Sequence, residues 1–224
     1  MKRLLLLSLV ALFGTALARA DTTRADLVTR VESCEAILQG FQTGPHAIPP
    51  AVLQKAQALI IVNQFKGAFL FGIKDGYGVV LVRKANGRWS LPVLISAGEA
   101  SLGFQVGANS VETVYVITDQ NTPRLLFNHR FNVGVDAKAV AGPKAAEKEK
   151  LNAEILATPM LVYTKSTGLY AGATVKAGHF SRNDAANFQL YSTRYTMPEL
   201  LYSDWVQPPS EVQPLMALVQ KLTR

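Results

Sequence analysis

The chain has 224 residues, 49% hydrophobic and 17% charged, with a formal net charge of +7. That length holds one ordinary domain or two small ones, and a single cysteine excludes an internal disulfide. Setting aside Lys2, Arg3 and Arg19 of the N-terminal segment takes 23 basic residues to 20 against 16 acidic, a net of +4 that falls well short of a nucleic-acid footprint.

Residues 1 to 20 have the three parts of a signal peptide: a basic start at Lys2-Arg3, an apolar run from Leu4 to Leu17, and an Ala18-Arg19-Ala20 site. The run is shorter than the roughly 20 residues a spanning helix needs. Cleavage after Ala20 and export to a periplasm or beyond are therefore expected. Lys2-Arg3 is not a twin-arginine signal, and Cys34 lies too far downstream, behind Val31-Glu32-Ser33, for a lipoprotein.

The remaining chain, 21 to 224, reads as one α+β domain with no fixed-period repeat. Asp21-Thr22-Thr23 supplies cap residues for a helix whose apolar positions Leu27, Val31, Cys34, Leu38 and Phe41 recur every three or four residues. Cys34 on that stripe is expected to be a buried thiol. Pro49-Pro50 opens a second helix over Ala51–Ala58, and Leu59–Val62 is β-branched and reads as a strand.

A glycine-punctuated ladder follows from Gly67 to Ala108, with strands expected at Ala68–Phe71, Tyr77–Val82, Trp89–Ile95 and Leu102–Val106. Asp75-Gly76 and Asn86-Gly87 are the strongest turn sequences, so neighbouring strands are expected to form antiparallel hairpins. The runs are apolar on both alternating positions, which predicts a sheet covered on both faces or curled on itself. Val111–Thr118 is a further strand, Thr122-Pro123 opens a helical turn, and Phe131–Val140 is a strand interrupted by Gly134. Lys144–Asn152 alternates in charge and reads as solvated. Met160–Lys165 and Leu169–Val175 form a hairpin about Ser166-Thr167-Gly168. Arg182-Asn183-Asp184 caps a helix to Tyr191, Met197-Pro198-Glu199 starts another, and Glu211–Leu222 is a last amphipathic helix. The fold class is thus a twisted, largely antiparallel, barrel-like sheet with flanking N- and C-terminal helices.

Enzyme signatures are absent: no G-x-S-x-G, H-E-x-x-H, C-x-x-C or Walker-type loop occurs. Gly72, Gly76 and Gly78 follow a strand but continue as strand, so they serve a turn, a bulge or close backbone contact rather than a phosphate cradle. His46, His129 and His179 sit in separate segments, and no metal or cofactor is expected. A binding protein outranks an enzyme.

An ordered series of short motifs then narrows the reading. It comprises Phe71-Gly72, Gly76-x-Gly78 and Arg83; Gly87-x-Trp89-Ser90-x-Pro92; Gly103-Phe104-Gln105-x-Gly107; Gly134; and Ala141-Gly142-Pro143. It continues with Tyr163-x-Lys165-x-x-Gly168-Leu169-Tyr170-x-Gly172, and Asn187 with Tyr191. The series resembles the SYLF domain family over about residues 49 to 202. The resemblance implies a non-enzymatic domain that binds anionic phospholipid, phosphoinositide-like head groups included. Here Gly142-Pro143 runs on to Lys144 where the family often has Gly-Arg, and residues 21 to 43 are not notably basic. The cations that could meet such head groups are Lys74, Arg83, Lys84 and Arg88 about the ladder, Lys138, Lys144, Lys148 and Lys150 about the Gly-Pro loop, and Lys165. Each contributes roughly 1 kcal/mol near an anionic surface. Trp89, inside an apolar strand, is expected in the core. The alternative is an envelope protein–protein interaction through the helix at Glu211–Leu222.

Overall fold

The computed structural model describes residues 22–66, 72–101, 109–125, 130–132, 139–142, 158–167 and 178–224. The signal-peptide segment, the strands expected at Ala68–Phe71, Leu102–Val106 and Leu169–Val175, His129, and Lys138, Lys144, Lys148 and Lys150 lie outside them.

The chain opens with α1 (Arg24–Gly40). Thr23 caps it through a reciprocal pair, its side chain accepting from the Asp26 amide while the Asp26 carboxylate accepts from the Thr23 amide. The predicted stripe is buried in full: Leu27, Val31, Cys34, Leu38 and Phe41 are no more than 1% exposed. Burial pushes the Cys34 thiol up to about 12, which keeps it an inert core group. After α2 (Pro50–Gln54), shorter than expected, come β1 (Ala58–Lys66), β2 (Gly72–Val82), β3 (Val93–Ser101) and β4 (Asn109–Ile117). The turn α3 (Thr122–Leu125), β5 (Arg130–Asn132), β6 (Ala139–Ala141), β7 (Met160–Thr167) and β8 (His179–Arg182) follow. The chain ends in α4 (Asp184–Tyr191), α5 (Met197–Tyr202), a 3-10 turn (Ser210–Val212) and α6 (Gln213–Leu222).

The strands form one curled, half-barrel sheet in the order β5-β8-β3-β2-β1-β4-β7-β6, antiparallel except for β6 on β7. The α+β architecture with flanking terminal helices matches the expectation. Both faces are covered where the sequence is apolar at every position: Leu59, Ile60, Ile61 and Val62 of β1 are all fully buried.

Three local expectations give way. Asp75-Gly76 is no turn; it lies inside β2, paired with Phe65 and Gln64 of β1 and with Gly98 and Ala97 of β3. Gly76 lacks a positive φ and is needed for room instead, since a Cβ there would sit 2.6 Å from the Asn63 carbonyl oxygen. Ser166 and Thr167 likewise belong to β7, opposite Val111 and Ser110. Nor is the ladder a simple run of hairpins. β1, the most apolar strand, takes the centre between β2 and β4, and β3 turns its other edge to β8.

Several motif residues hold this sheet together. β8 covers Ile95 to Gly98 of β3 and leaves the Leu94 amide and carbonyl without a strand partner. The buried Asn187 side chain replaces one: the Leu94 amide donates to its Oδ1 at 2.8 Å and its Nδ2 donates to the Leu94 carbonyl at 2.9 Å. Tyr191 donates to the Pro92 carbonyl at 2.5 Å. Buried Ser90 accepts from the Val82 amide at 3.0 Å. Gly142 lies against the Tyr163 ring so closely that a Cβ would come within 2.3 Å of it.

Candidate functional site

The β2–β3 connection is the Asn86-Gly87 turn. Gly87 has φ of 78°, the Lys84 amide donates to the Arg88 carbonyl at 2.8 Å, and Arg83 bridges to Trp89. Alternation across this short ribbon sends its cations in different directions.

Arg83 turns back into the fold. Its Nη2 donates to the Thr223 carbonyl at 2.7 Å, and its guanidinium lies 5.4 Å from the centre of the Trp89 ring. Burial lowers its pKa from the usual arginine range without discharging it. Trp89 is 4% exposed, as expected of a core residue, and its indole N–H donates to Thr223 Oγ1 at 2.8 Å. Arg83 thus serves to fasten the C-terminal turn, a role that its position beside a turn did not suggest.

Lys84 lines a cavity. Its ammonium donates to the Ser203 carbonyl at 2.6 Å and to Asp204 Oδ1 at 2.7 Å. The Lys84 side chain is 11% exposed and that of Asp204 67%. The hydrogen bond and charge of Lys84, helped by Arg88, lower the Asp204 pKa below the usual carboxylate value. Arg88 itself is exposed.

The cavity holds about 380 Å³ and is lined by Arg83, Lys84, Arg124, Gln57, Gln120 and Tyr202, among others. Arg124, in α3, interacts with the Tyr202 hydroxyl of α5. Four stretches far apart in sequence, at Gln57, Arg83–Lys84, Gln120–Arg124 and Tyr202, therefore bring three cations, two amide side chains and a tyrosine to one cavity. Such a lining suits an oxyanion: guanidinium forks and an ammonium give charge-assisted hydrogen bonds, and the amides add neutral donors. Of the residues lining this cavity, sequence reading had named Arg83 and Lys84 but not Arg124 or Tyr202, nor Asp204, the carboxylate paired with Lys84.

The other sequence candidates lie elsewhere. The backbone of Lys74 sits within β2 opposite Lys66 and Glu99, eight residues before Val82, which is roughly 27 Å along the strand at about 3.4 Å per residue. Lys165 pairs with Glu112 across β4 and β7, its ammonium about 4 Å from where a Cβ on Gly40 would stand. Neither joins the mouth. The last helix, expected to offer an apolar face for docking, spends that face internally: Val212, Leu215 and Val219 are buried, with α6 packed on α1.

Among the described residues no three His, Cys, Asp or Glu side chains are grouped to hold a metal ion. His46 is exposed. His179 contacts the Arg130 guanidinium at 3.1 Å, and burial together with that positive charge lowers its pKa. Among the described residues no helix is long and apolar enough to cross a membrane.

Residues 98–222 match the family model Ysc84, described as Las17-binding protein actin regulator. LAS seventeen-binding protein 3 from Saccharomyces cerevisiae (strain YJM789) is 29% identical over 176 residues, covering 77% of this chain and 38% of its own length. Protein YSC84 from Saccharomyces cerevisiae (strain ATCC 204508 / S288c) is 28% identical over 77% of this chain and 37% of its own. SH3 domain-containing YSC84-like protein 1 from Homo sapiens is 24% identical over 89% of this chain and 60% of its own. The chain thus spans between 37% and 60% of the length of these relatives. No solved structure matches. The matched segment takes in β4, β7, β8 and the helices that carry Asn187, Tyr191 and Tyr202, and on this match the chain belongs to the Ysc84 (SYLF) family.

Proposed function

We propose that this protein is a non-enzymatic binder of anionic phospholipid head groups, phosphoinositide-like ones included, and that it acts after export, with cleavage following Ala20. The observation that carries the reading is the cavity lined by Arg83, Lys84 and Arg124 beside exposed Arg88. A head-group phosphate entering there exchanges the Lys84–Asp204 pair for a Lys84–phosphate pair and gains the Arg88 and Arg124 guanidinium groups. A mild net charge of +4 after cleavage suits contact with an anionic surface without demanding it.

Sedimentation of the mature protein with vesicles of rising phosphatidylserine content, repeated at rising salt, tests this. Binding should climb with the anionic fraction and fall with salt, because exposed charges are screened over about 10 Å at 0.1 M ionic strength. Binding indifferent to both would sink it. Mass measurement of the protein recovered from an export-competent host tests the cleavage site.

One yeast relative is named LAS seventeen-binding protein 3, and the family is described as Las17-binding protein actin regulator. A protein partner for this chain is therefore the second reading. With the apolar face of α6 filled from within, a partner would dock elsewhere than on that face.

A further inference from the structure

Among the described residues only three large hydrophobic side chains are markedly exposed: Leu125 at 36%, Tyr202 at 41% and Trp205 at 64%. Scattered singly, such residues need no explanation. These three are not scattered. Tyr202 lines the basic cavity and interacts with Arg124, the neighbour of Leu125 in α3. Trp205 follows Asp204, the residue that Lys84 holds at the same opening. Most other large apolar side chains of the described residues lie in the core or pack against it.

We propose that Leu125, Tyr202 and Trp205 form an interfacial anchor that enters the head-group and upper acyl region of an anionic bilayer while the basic mouth holds phosphate. The proposal rests on the head-group reading above and adds a penetrating surface to it. Tyrosine and tryptophan combine an apolar ring with one polar atom, which fits the boundary between water and hydrocarbon. Cations beside them complement the negative surface potential that such a boundary carries. An acidic protein surface would bury the same side chains on a partner rather than in acyl chains, and the experiment below separates the two. The Trp205 ring is held 5.2 Å from that of Tyr195, and the amide of Trp205 donates to Ser203 Oγ at 3.4 Å, so its position is set by the C-terminal segment that Lys84 ties down.

The chain has two tryptophans, and Trp89 is buried, so fluorescence separates them. The mature protein is mixed with phosphatidylcholine vesicles, with and without phosphatidylserine, carrying brominated acyl chains. Its affinity for soluble inositol trisphosphate is measured in parallel. With phosphatidylserine present, Trp205 emission should shift to the blue and be quenched, and the response should vanish in Trp205→Phe. Trp205→Ala should weaken vesicle binding roughly tenfold, the equivalent of losing one partly buried aromatic side chain, with inositol trisphosphate affinity unchanged. Sedimentation with vesicles but no Trp205 shift or quenching would overturn the anchor and leave the head-group reading standing. Quenching equal on pure phosphatidylcholine, without inositol trisphosphate binding, would uphold the anchor and sink the head-group reading. A Trp205 shift seen only on adding a protein, with none on vesicles, would overturn the anchor in favour of protein docking.

Discussion

Arg83 and Arg88 stand five residues apart on one turn, and the two sides of that turn have opposite duties. On the inner side Arg83, Trp89 and Ser90 spend every polar atom given a partner on the protein's own backbone or on Thr223. On the outer side Lys84, Arg124 and Tyr202 line the cavity that Arg83 also borders, Arg88 is exposed, and Asp204 is the carboxylate paired with Lys84. The difference teaches that a cluster of cations near a turn is no single site. Alternation divides it, and the half that identifies the family is the half that holds the fold.

That division can be broken from either side. Trp89→Ala removes a core ring, its bond to Thr223 and the stacking surface under Arg83. It should cost about 3–5 kcal/mol in denaturant unfolding, and a loss as small as that of a surface substitution would deny Trp89 its structural role. Asn187→Leu strands the Leu94 amide and carbonyl and should cost about 1–3 kcal/mol for each group left unpaired. Urea midpoints measure it, and amide exchange at Leu94 should accelerate in the same variant. Arg88→Ala should stay within about 0.5 kcal/mol of wild-type stability yet weaken binding to phosphatidylserine vesicles about fivefold.

Asp204→Asn should act in the opposite sense and least strongly, tightening vesicle binding about twofold to fivefold by freeing Lys84. The pH dependence has a definite sign. The Asp204 pKa is lowered from 3.8 by the Lys84 hydrogen bond and charge, so the Lys84–Asp204 tie is fully present above 3.8 and is lost as pH falls through the lower folded-state value. The gap between wild type and Asp204→Asn should therefore be open at pH 7 and close below that range. A gap that persisted in acid would mean that Asp204 does not compete for Lys84.

Much of the fold is legible in the chain because its causes are local. Thr23 and Asp26 with the stripe from Leu27 to Phe41 define α1 within a few residues, and Asn183 accepting from the Ala186 amide defines the start of α4. The Asp75-Gly76 expectation fails because glycine answers two different needs. At Gly87 it supplies a positive φ, whereas at Gly76 it supplies space beside a neighbouring strand, and a single sequence does not distinguish them. The duties of Asn187 and Tyr191 were out of reach because their partners, Leu94 and Pro92, lie 93 and 99 residues away. Arg124, Tyr202 and Trp205 are isolated in sequence and become neighbours of the basic turn only through the fold. A tryptophan set in the polar run Ser203-Asp204-Trp205 was the one local sign that something there faces outward.

The closure of β3 carries a consequence for how the protein is made. Its free edge is covered by β8 and Asn187, near the end of the chain, and Arg83 waits for Thr223, 140 residues on. Contacts of such separation make folding slow, because loop-closure entropy is lost before they form. While the chain is still emerging, β1, β2 and β3 present an unpaired, strongly apolar edge prone to self-association. The molecule is therefore one whose first half depends on its last fifth, and a C-terminal truncation before Asn187 should yield insoluble chains rather than a smaller folded unit.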